Sequence, residues 1–404
     1  MSSSEAAIVV AGGGAAGIAA AVGAARSGAR TILVERYGFL GGMATAGMVG
    51  TICGLYLGDE GEGTATFVDD GFPVEFAEAL QSRTGLAAER FGRVFALPYA
   101  PPALQRTADE ICAAEPNLEV RLHTTLTAVD SNDTHVHAVR LLSWEGVQET
   151  PVAAIVDASG DAIATLLAGA AVDTRAASDR QLPSLVFHLQ NVDVGAFDRG
   201  ARIAALRRIA AAVADGSLPA GSELVSFRPS ARPGEVCAKL ALAPILAGAT
   251  GLATAERNGR AIVEALETFL QRGVASCKDS FVSHLAPQVG IRESRTILGQ
   301  YTLSRGDVLG AARFEDAVAR AAWPIELWEE GRTGAHLEYL PAGEHYEVPL
   351  RALRHQTLEN VYAAGRCMSA SHDALASARV IGTCLATGYA AGAAAVRERG
   401  TGPR

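Results

Sequence analysis

Residues 6–17 read Ala-Ala-Ile-Val-Val-Ala-Gly-Gly-Gly-Ala-Ala-Gly, and one helix length later the chain reaches Val34-Glu35. The β-branched run Ile8-Val9-Val10 predicts a buried strand that enters Gly12-x-Gly14-x-x-Gly17. Gly12 suits the tight turn out of the strand, Gly14 leaves room for a pyrophosphate, and Gly17 lets the following helix pack close to the sheet. The free amides at the helix start, those of Ala15 and Ala16 among them, favour phosphate charge together with the helix dipole. A second apolar run, Thr31-Ile-Leu-Val34, ends in Glu35, 23 residues beyond Gly12, where a carboxylate can accept hydrogen bonds from ribose hydroxyls. Strand, helix, strand and acid in this order predict a dinucleotide site; an isolated glycine fingerprint would not.

The chain has 404 residues, enough for two or more domains. Apolar residues make up 49% and charged residues 20%, the profile of a compact soluble protein. A net charge of −9 without a basic run argues against a nucleic-acid partner. Met-Ser-Ser-Ser-Glu lacks the basic start and apolar core of a signal peptide. The most apolar stretch, Val380 to Val396, is interrupted by Gly382, Thr383, Thr387, Gly388 and Gly392 and reads as a buried helix, not a membrane span. The expectation is a cytoplasmic protein without a membrane partner, with a homo-oligomer left open. Cys53, Cys112, Cys237, Cys277, Cys367 and Cys384 are scattered, with no CxxC pair, and His and acidic residues show no metal-ligand spacing; no metal is expected.

After Glu35 the chain enters a glycine-rich loop, Arg36-Tyr-Gly-Phe-Leu-Gly-Gly-Met-Ala-Thr-Ala-Gly47, where an NAD dehydrogenase usually begins another crossover helix. Gly41 and Gly42 would let the backbone run close along an extended cofactor. Strands are predicted over 120–129, 135–142 and 153–157, the last ending in Ser159-Gly160-Asp161 before a helical stretch from Ala162 to Ala168. A final strand at Asn360–Ala364 ends in Gly365-Arg366, and a long helix is predicted over 381–399.

The glycine fingerprint, Phe39-Leu-Gly-Gly-Met-Ala44, Val156-Asp-Ala-Ser-Gly-Asp161 and Ala364-Gly-Arg-Cys-Met-Ser-Ala-Ser-His372 together resemble the FAD-dependent oxidoreductases of glutathione-reductase-like fold, a group distantly related to the fumarate reductase flavoproteins. Gly290-Ile-Arg-Glu-Ser-Arg295, Gly299–Leu303, Asp307-Val308 and His345–Leu350 add to it. The resemblance implies an α/β chain with a Rossmann-like FAD-binding domain and an inserted α+β substrate domain. Its FAD domain would be discontinuous, over residues 1–60, 100–175 and 340–404. Residues 176–339 would form the substrate domain, with strands at Leu185–Leu189 and Lys239–Ala243 and helices at Ile203–Ala214 and Thr254–Gln271. Residues 61–99 would be an insertion carrying a helix over Val74–Ser82.

By the same resemblance, Gly12, Gly14, Ala15, Ala16, Gly17 and Glu35 hold the ADP half. Arg36 lies near adenine or phosphate, or else in solvent. Gly41, Gly42, Met43 and Ala44 match the loop that runs past the phosphates toward the isoalloxazine. Gly160 and Asp161 end a strand near the cofactor, with Asp161 alternatively capping the next helix. Gly365-Arg366 matches the segment beside the ribityl chain, and Gly382-Thr383 begin a helix whose dipole favours charge at the flavin N1–O2 side. Relatives that bind FAD covalently use a histidine in the loop after the second strand; Phe39–Gly47 has none, so non-covalent FAD is expected. Cys53 as a thioether site is outweighed by a buried free thiol.

Catalytic candidates are fewer, because a flavin supplies its own redox chemistry. Arg292 or Arg295 could clamp a substrate carboxylate, or with Glu293 form an ion-pair network. His336, Glu338, Tyr339, His345 and Tyr346 lie in one dense polar–aromatic segment suited to proton transfer, although each alone reads as packing. Ser369, Ser371, His372 and Arg379 follow Gly-Arg, and His372 matches a family position near the flavin. His188 and His284 read as isolated. The leading expectation is hydride removal from a small organic metabolite, with electrons passing to oxygen or another acceptor. The alternatives are reduction of an activated double bond and aromatic hydroxylation, the latter weakened by Gly365-Arg366 standing where hydroxylases carry Gly-Asp. A non-catalytic flavin-binding or electron-transfer subunit is the remaining reading.

Overall fold

The computed structural model describes residues 6–397 apart from 62, 231, 246–247 and 332–333. It opens with β1 (Ala7–Ala11), α1 (Ala15–Arg26) and β2 (Thr31–Val34). Every residue of β1 and β2 is buried, as an uninterrupted apolar strand in a parallel sheet should be. β3 (Thr51–Cys53), α2 (Phe72–Thr84), β4 (Glu89–Phe91), β5 (Val94–Pro98) and α3 (Pro101–Ala113) follow. The first sheet is completed by β6 (Leu118–Arg121), β7 (Thr125–Ser131), β8 (Val136–Ser143) and β9 (Gly146–Asp157).

β9 plays two parts. Residues 146–151 pair antiparallel with β8, and 152–157 pair parallel with β1, from Val152 opposite Ala7 to Asp157 opposite Ala11. β2 and β6 extend the parallel sheet on the other side. Ile8 and Val10 point into one core with α1; Ala7 and Val9 point into another beneath β7–β9. This period-2 split fills both faces of the sheet.

After α4 (Ile163–Leu167) and β10 (Val172–Thr174) the chain builds a separate antiparallel sheet. Its strands are β11 (Ser184–Gln190), β12 (Val225–Pro229), β13 (Val236–Ala241) and β14 (Phe281–Leu285), in the order β12-β13-β11-β14, and α5 (Arg199–Ala214) and α6 (Gly248–Gly273) pack on it. Leu185, Phe187, Leu189, Ala238 and Leu240 face those helices. By alternation Ser184, His188, Lys239 and Arg228 stand on the opposite face. The strand expected at 239–243 therefore begins three residues earlier, because Val236 and Ala238 complete the apolar face.

Three small pairings follow: β10 with β15 (Arg295–Ile297), then, after α7 (Arg305–Leu309), β16 (Ala317–Ala321) with β19 (Tyr346–Pro349), and β17 (Ile325–Leu327) with β18 (His336–Glu338). The chain returns to the first sheet through β20 (Val361–Ala363), parallel to β9, and ends in α8 (His372–Ala378) and α9 (Ile381–Arg397). The parallel order is thus β6-β2-β1-β9-β20. Phe72, Phe76 and Leu80 of α2 enter the same core as α1.

α9 is buried along most of its length and lies directly on α1. A Cβ on Gly388 would stand 2.1 Å from the Ala16 carbonyl oxygen and one on Gly392 1.9 Å from that of Ala20. The two backbones touch. α8 and α9 are bent by 94° at their junction, and among the described residues no single helix is long and apolar enough to cross a membrane. Residues 398–399, the expected end of the last helix, lie outside the described residues.

Candidate functional site

The β1–α1 turn is built from glycines for steric reasons. Gly12 has φ +104° and a Cβ there would sit 2.7 Å from the Ala158 carbonyl oxygen, while a Cβ on Gly17 would sit 1.7 Å from that of Gly12. Gly14 caps α1 with no side-chain bond, so no side chain covers the first amides of the helix, at Ala15 and Ala16. The second glycine segment closes on the first. Gly41 N–H donates to the Gly13 carbonyl at 2.8 Å, and a Cβ on Gly42 would stand 2.8 Å from Gly14 Cα. Met43 and Ala44 follow in a 3-10 turn over Gly42–Ala44. Gly12–Gly17 and Gly41–Ala44, 24 residues or more apart in the chain, thus form one concave, side-chain-free backbone surface beside a helix N-terminus, the arrangement that suits an anionic pyrophosphate.

Glu35 is buried at the end of β2. Its Oε2 accepts from Gly13 N–H at 2.7 Å and its Oε1 from Tyr37 N–H at 2.9 Å, so the carboxylate is anchored while each oxygen keeps a free lone pair. Arg36 does not project freely. Its guanidinium lies 4.8 Å from the Tyr37 ring centroid and reaches Gln288, which also bonds the Tyr37 hydroxyl.

The end of β9, the end of β20 and the start of α9 converge beside this turn. A Cβ on Gly365 would be 2.8 Å from the Ala16 Cβ, and one on Gly382 2.6 Å from the Gly54 carbonyl carbon. Arg366 Nη1 stands 3.2 Å from Asp161 Oδ1. Ser294 Oγ donates to the same carboxylate, and Arg295 Nε donates to the Asp161 carbonyl at 2.9 Å. Burial alone would raise the Asp161 carboxyl, but Arg366, Ser294 and Arg295 outweigh it and hold it below the usual range. The capping role is corrected here: α4 is capped by Ala162 in the left-handed region without a side-chain bond, because Asp161 is turned to Arg366. Ser159 Oγ instead accepts from Ile163 N–H at 2.9 Å. Thr383 Oγ1 is buried with no hydrogen-bond partner in the structure.

The catalytic candidates separate. Glu293, 6% exposed, accepts from Arg175 Nε at 3.2 Å and Gln181 N–H at 3.2 Å, and lies 2.8 Å from His372 Nδ1. Its partners are therefore not Arg292 and Arg295, which part company: Arg295 goes to Asp161, and Arg292 donates to the Leu182 carbonyl and to Ser184 Oγ at 3.2 Å. His372 opens α8 behind Ser371, whose Oγ caps the helix through Ala374 N–H. His336 lies on β18, half-exposed, 3.6 Å from Glu338. Tyr346 is fully buried, its hydroxyl 2.8 Å from Ser377 Oγ, and burial pushes it far above its ordinary pKa. Apolar packing takes Tyr346 out of the polar segment in which the sequence places it. Tyr346→Phe is expected to cost about 1 kcal/mol in urea unfolding, one hydrogen bond's worth, and to leave cofactor binding unchanged.

Two groups escaped the sequence reading. His188 and His284 are not isolated: they pair across β11 and β14, and their ligand atoms and those of Glu235 all lie within 4.8 Å of one another. The spacing gave no metal pattern because His188 and His284 lie on different strands and Glu235 in the turn before a third. The other group surrounds Trp328. Lys239 Nζ is 3.9 Å and Arg292 Cζ 4.6 Å from its ring centroid. Glu326 receives the indole N–H of Trp323 at 2.8 Å and of Trp328 at 2.7 Å. The available signal was Lys239 itself, one of two lysines in the chain, set in a strand of apolar alternation. Cys53 is nearby, and burial pushes its thiol up to about 12, so at neutral pH it is not a thiolate.

The family described as FAD dependent oxidoreductase matches residues 7–402 of the chain. No curated protein matches it. Among solved structures, an aromatic hydroxylase from angucycline biosynthesis is similar at 11% identity and a TM-score of 0.47, over 90% of this chain and 57% of that one. A geranylgeranyl bacteriochlorophyll reductase-like protein from Thermoplasma acidophilum is similar at 12% identity and TM-score 0.46, over 97% and 77%. A triple mutant of the flavin-dependent brominase Bmp2 is similar at 11% identity and TM-score 0.46, over 99% and 82%. The chain thus spans little more than half the length of the first of these.

Proposed function

Because the chain belongs to the family of FAD-dependent oxidoreductases, enzymes whose cofactor is FAD, we propose that it oxidises a small organic metabolite by removing a hydride from a C–H bond beside an amine, alcohol or activated carbon. The reading assigns the ADP half of FAD to Gly12, Gly14, Ala15, Ala16, Gly17 and Glu35, and the phosphate run to Gly41–Ala44. Gly160, Asp161, Gly365, Arg366, Gly382 and Thr383 adjoin the flavin end. The observation that carries it is the pair of facing glycine segments at the uncapped start of α1, with buried Glu35 beside them. Bound FAD supplies the two-electron acceptor. It is held non-covalently: Phe39–Gly47 offers no histidine, and the Cys53 thiol is too weakly acidic to attack.

The chain's own part is orientation and proton handling. Arg366, beside Asp161 and the start of α1, binds an anionic group of the cofactor. His372, fixed at Nδ1 by Glu293, presents Nε2 as the proton acceptor for the substrate's departing N–H or O–H proton. The antiparallel sheet β12-β13-β11-β14 is the substrate-side unit, facing the glycine loop through Arg228, which donates to the Val49 carbonyl at 3.2 Å.

The test offers purified yellow protein to amines, alcohols and hydroxy acids without oxygen. Bleaching of the visible flavin band identifies a donor, and acid precipitation leaves the flavin in the supernatant. His372→Asn is expected to slow bleaching about 100-fold or more with flavin content unchanged. A wild-type flavin that no such donor bleaches refutes the reading.

A further inference from the structure

We propose that Lys239, Arg292, Arg379 and Arg228 form a binding site for an organic carboxylate, so that the substrate is an acid and this cluster clamps its carboxylate group. This rests on the reading of the chain as an enzyme acting on a small metabolite.

The cluster is assembled from four places. Arg228 comes from β12 and Lys239 from β13, diagonal to it two residues along the ladder (Lys239 is opposite Ser226, Arg228 opposite Cys237), both on the side of the sheet away from α5 and α6. Arg292 precedes β15, and Arg379 ends α8 two residues before α9. Trp328 is the platform of Lys239 and Arg292, Glu326 is the carboxylate nearest Lys239 and Arg292, and Glu293 also acts on Arg379.

The charges do not balance. Many arginines of this chain meet a carboxylate: Arg26 pairs with Glu75 and Glu115, Arg90 with Asp59, Arg351 with Asp316. Among the described residues, none of the four cations of the cluster has a carboxylate oxygen within 4.0 Å. Their partners are neutral: Arg228 has the Val49 carbonyl, Arg292 has the Leu182 carbonyl and Ser184, and Arg379 has Gln181 Oε1 at 3.1 Å and the Glu326 carbonyl at 3.2 Å. Lys239 has the face of Trp328. Glu326 has spent its side chain on two indole N–H groups. Arg379 Nε and Gln181 Nε2 are buried donors with no acceptor. Four cations against Glu326 and, on the Arg379 side, Glu293, which already serves His372 and Arg175, are costly to take out of water with donors unused unless an anion completes the set. Guanidinium forks and an ammonium match the two oxygens of a carboxylate.

The groups facing Lys239 are Arg292, Glu326, Arg228 and Cys53. Burial, reinforced by Arg292 and Arg228, lowers its ammonium to about 8. Glu326 is held below the usual carboxylate range, Cys53 is pushed up to about 12 and burial lowers Arg292 only to about 9, so Lys239 is the cation of the cluster that loses its charge first as pH rises from 7. Hydrogen bonds to His188 and Arg228 outweigh burial and lower the Cys237 thiol, which adds negative charge beside Arg228 in the same direction. Below about 8 Lys239 is charged and favours an anion; above about 8 that attraction is lost.

The experiment titrates acetate, succinate and benzoate, each against its amide, into the FAD-loaded chain and follows the visible difference spectrum. The same series on FAD-free chain follows tryptophan fluorescence, with Trp328→Phe identifying the responding indole. At least one acid is expected to bind, and its amide at least tenfold more weakly. Its affinity should fall as pH rises through about 8. Lys239→Gln should weaken binding tenfold or more and flatten that pH profile, and Lys239→Arg should restore affinity without the pH step. Arg292→Gln should weaken it further. Equal binding of acid and amide, or no response to any acid in either form of the protein, overturns the proposal. Failure to take up FAD would instead strike at the enzyme reading, since the fluorescence titration does not depend on the flavin.

Discussion

Gly17→Ala is expected to strip the protein of FAD. The added methyl would meet the Gly12 carbonyl oxygen at 1.7 Å and the Gly12 carbonyl carbon at 2.9 Å. Both are backbone atoms, so no rotamer change relieves the clash. α1 must move away from the end of β1, and its leading amides lose their aim at the surface formed with Gly41 and Gly42. Overpacking of this kind costs about 3 kcal/mol when the neighbour cannot yield, which as lost affinity is about 100-fold. Flavin content after dialysis, and the FAD concentration needed to restore it, measure the loss. Gly28→Ala serves as the comparison: Gly28 also has a left-handed φ, +90°, but it is exposed with nothing within 4 Å of an added Cβ. It should cost about 1 kcal/mol in stability and leave flavin content alone. A Gly17→Ala protein that holds FAD at the wild-type ratio would refute the assignment of this turn.

Gly392→Val should be the most damaging single change to the fold itself. Its Cβ would lie 1.9 Å from the Ala20 carbonyl oxygen, and Gly388 repeats the arrangement one turn earlier against Ala16. α1 underlies the first sheet and carries the glycine turn at its start, so prising α9 from α1 disturbs both. A loss of about 3 kcal/mol, or roughly 4 °C in melting temperature for a chain of this length, is expected. Urea unfolding without added FAD separates this loss from any loss of cofactor stabilisation. A variant that unfolds at the wild-type denaturant concentration would show that the two helices can separate at little cost.

The parts of the fold legible in the chain were those set by near neighbours. Ile8-Val9-Val10 alternates between two cores as a doubly covered strand must. The stretch from Val380 to Val396 was readable as a buried helix because glycines and threonines interrupt its apolar run; two of those glycines, Gly388 and Gly392, meet α1. Elements came out with small errors at their ends. The helix expected at 254–271 runs over Gly248–Gly273, and that expected at 203–214 over Arg199–Ala214. A cap rather than periodicity sets the start of α5: Asp198 Oδ1 accepts from Ala201 N–H at 2.8 Å, which begins the helix earlier than its apolar pattern suggests.

Side-chain partnerships were far less legible. Asp161 is followed directly by a helical stretch, the usual position of a cap, yet it turns to Arg366, 205 residues away in the chain. Arg-Glu-Ser-Arg at 292–295 reads as a local charge network, but an extended backbone sends neighbouring side chains in opposite directions. Glu293 therefore meets His372 and Arg175, Arg295 meets Asp161, and Arg292 meets Trp328. Tyr346 lies in a polar-looking segment and ends in the core.

The motifs spread through the chain as far as His372 gave the resemblance to the family and its FAD; local sequence by itself determined the first βαβ unit and the glycine turn with its carboxylate. Those features depend on steric and hydrogen-bonding demands within about thirty residues, which any chain of this spacing must meet locally. Only the tertiary structure decided which charges meet. Lys239, Arg292, Glu326 and Arg379 are brought together by strand register and by the return of the chain through β20, and long-range pairing of this kind leaves no period in the sequence to read.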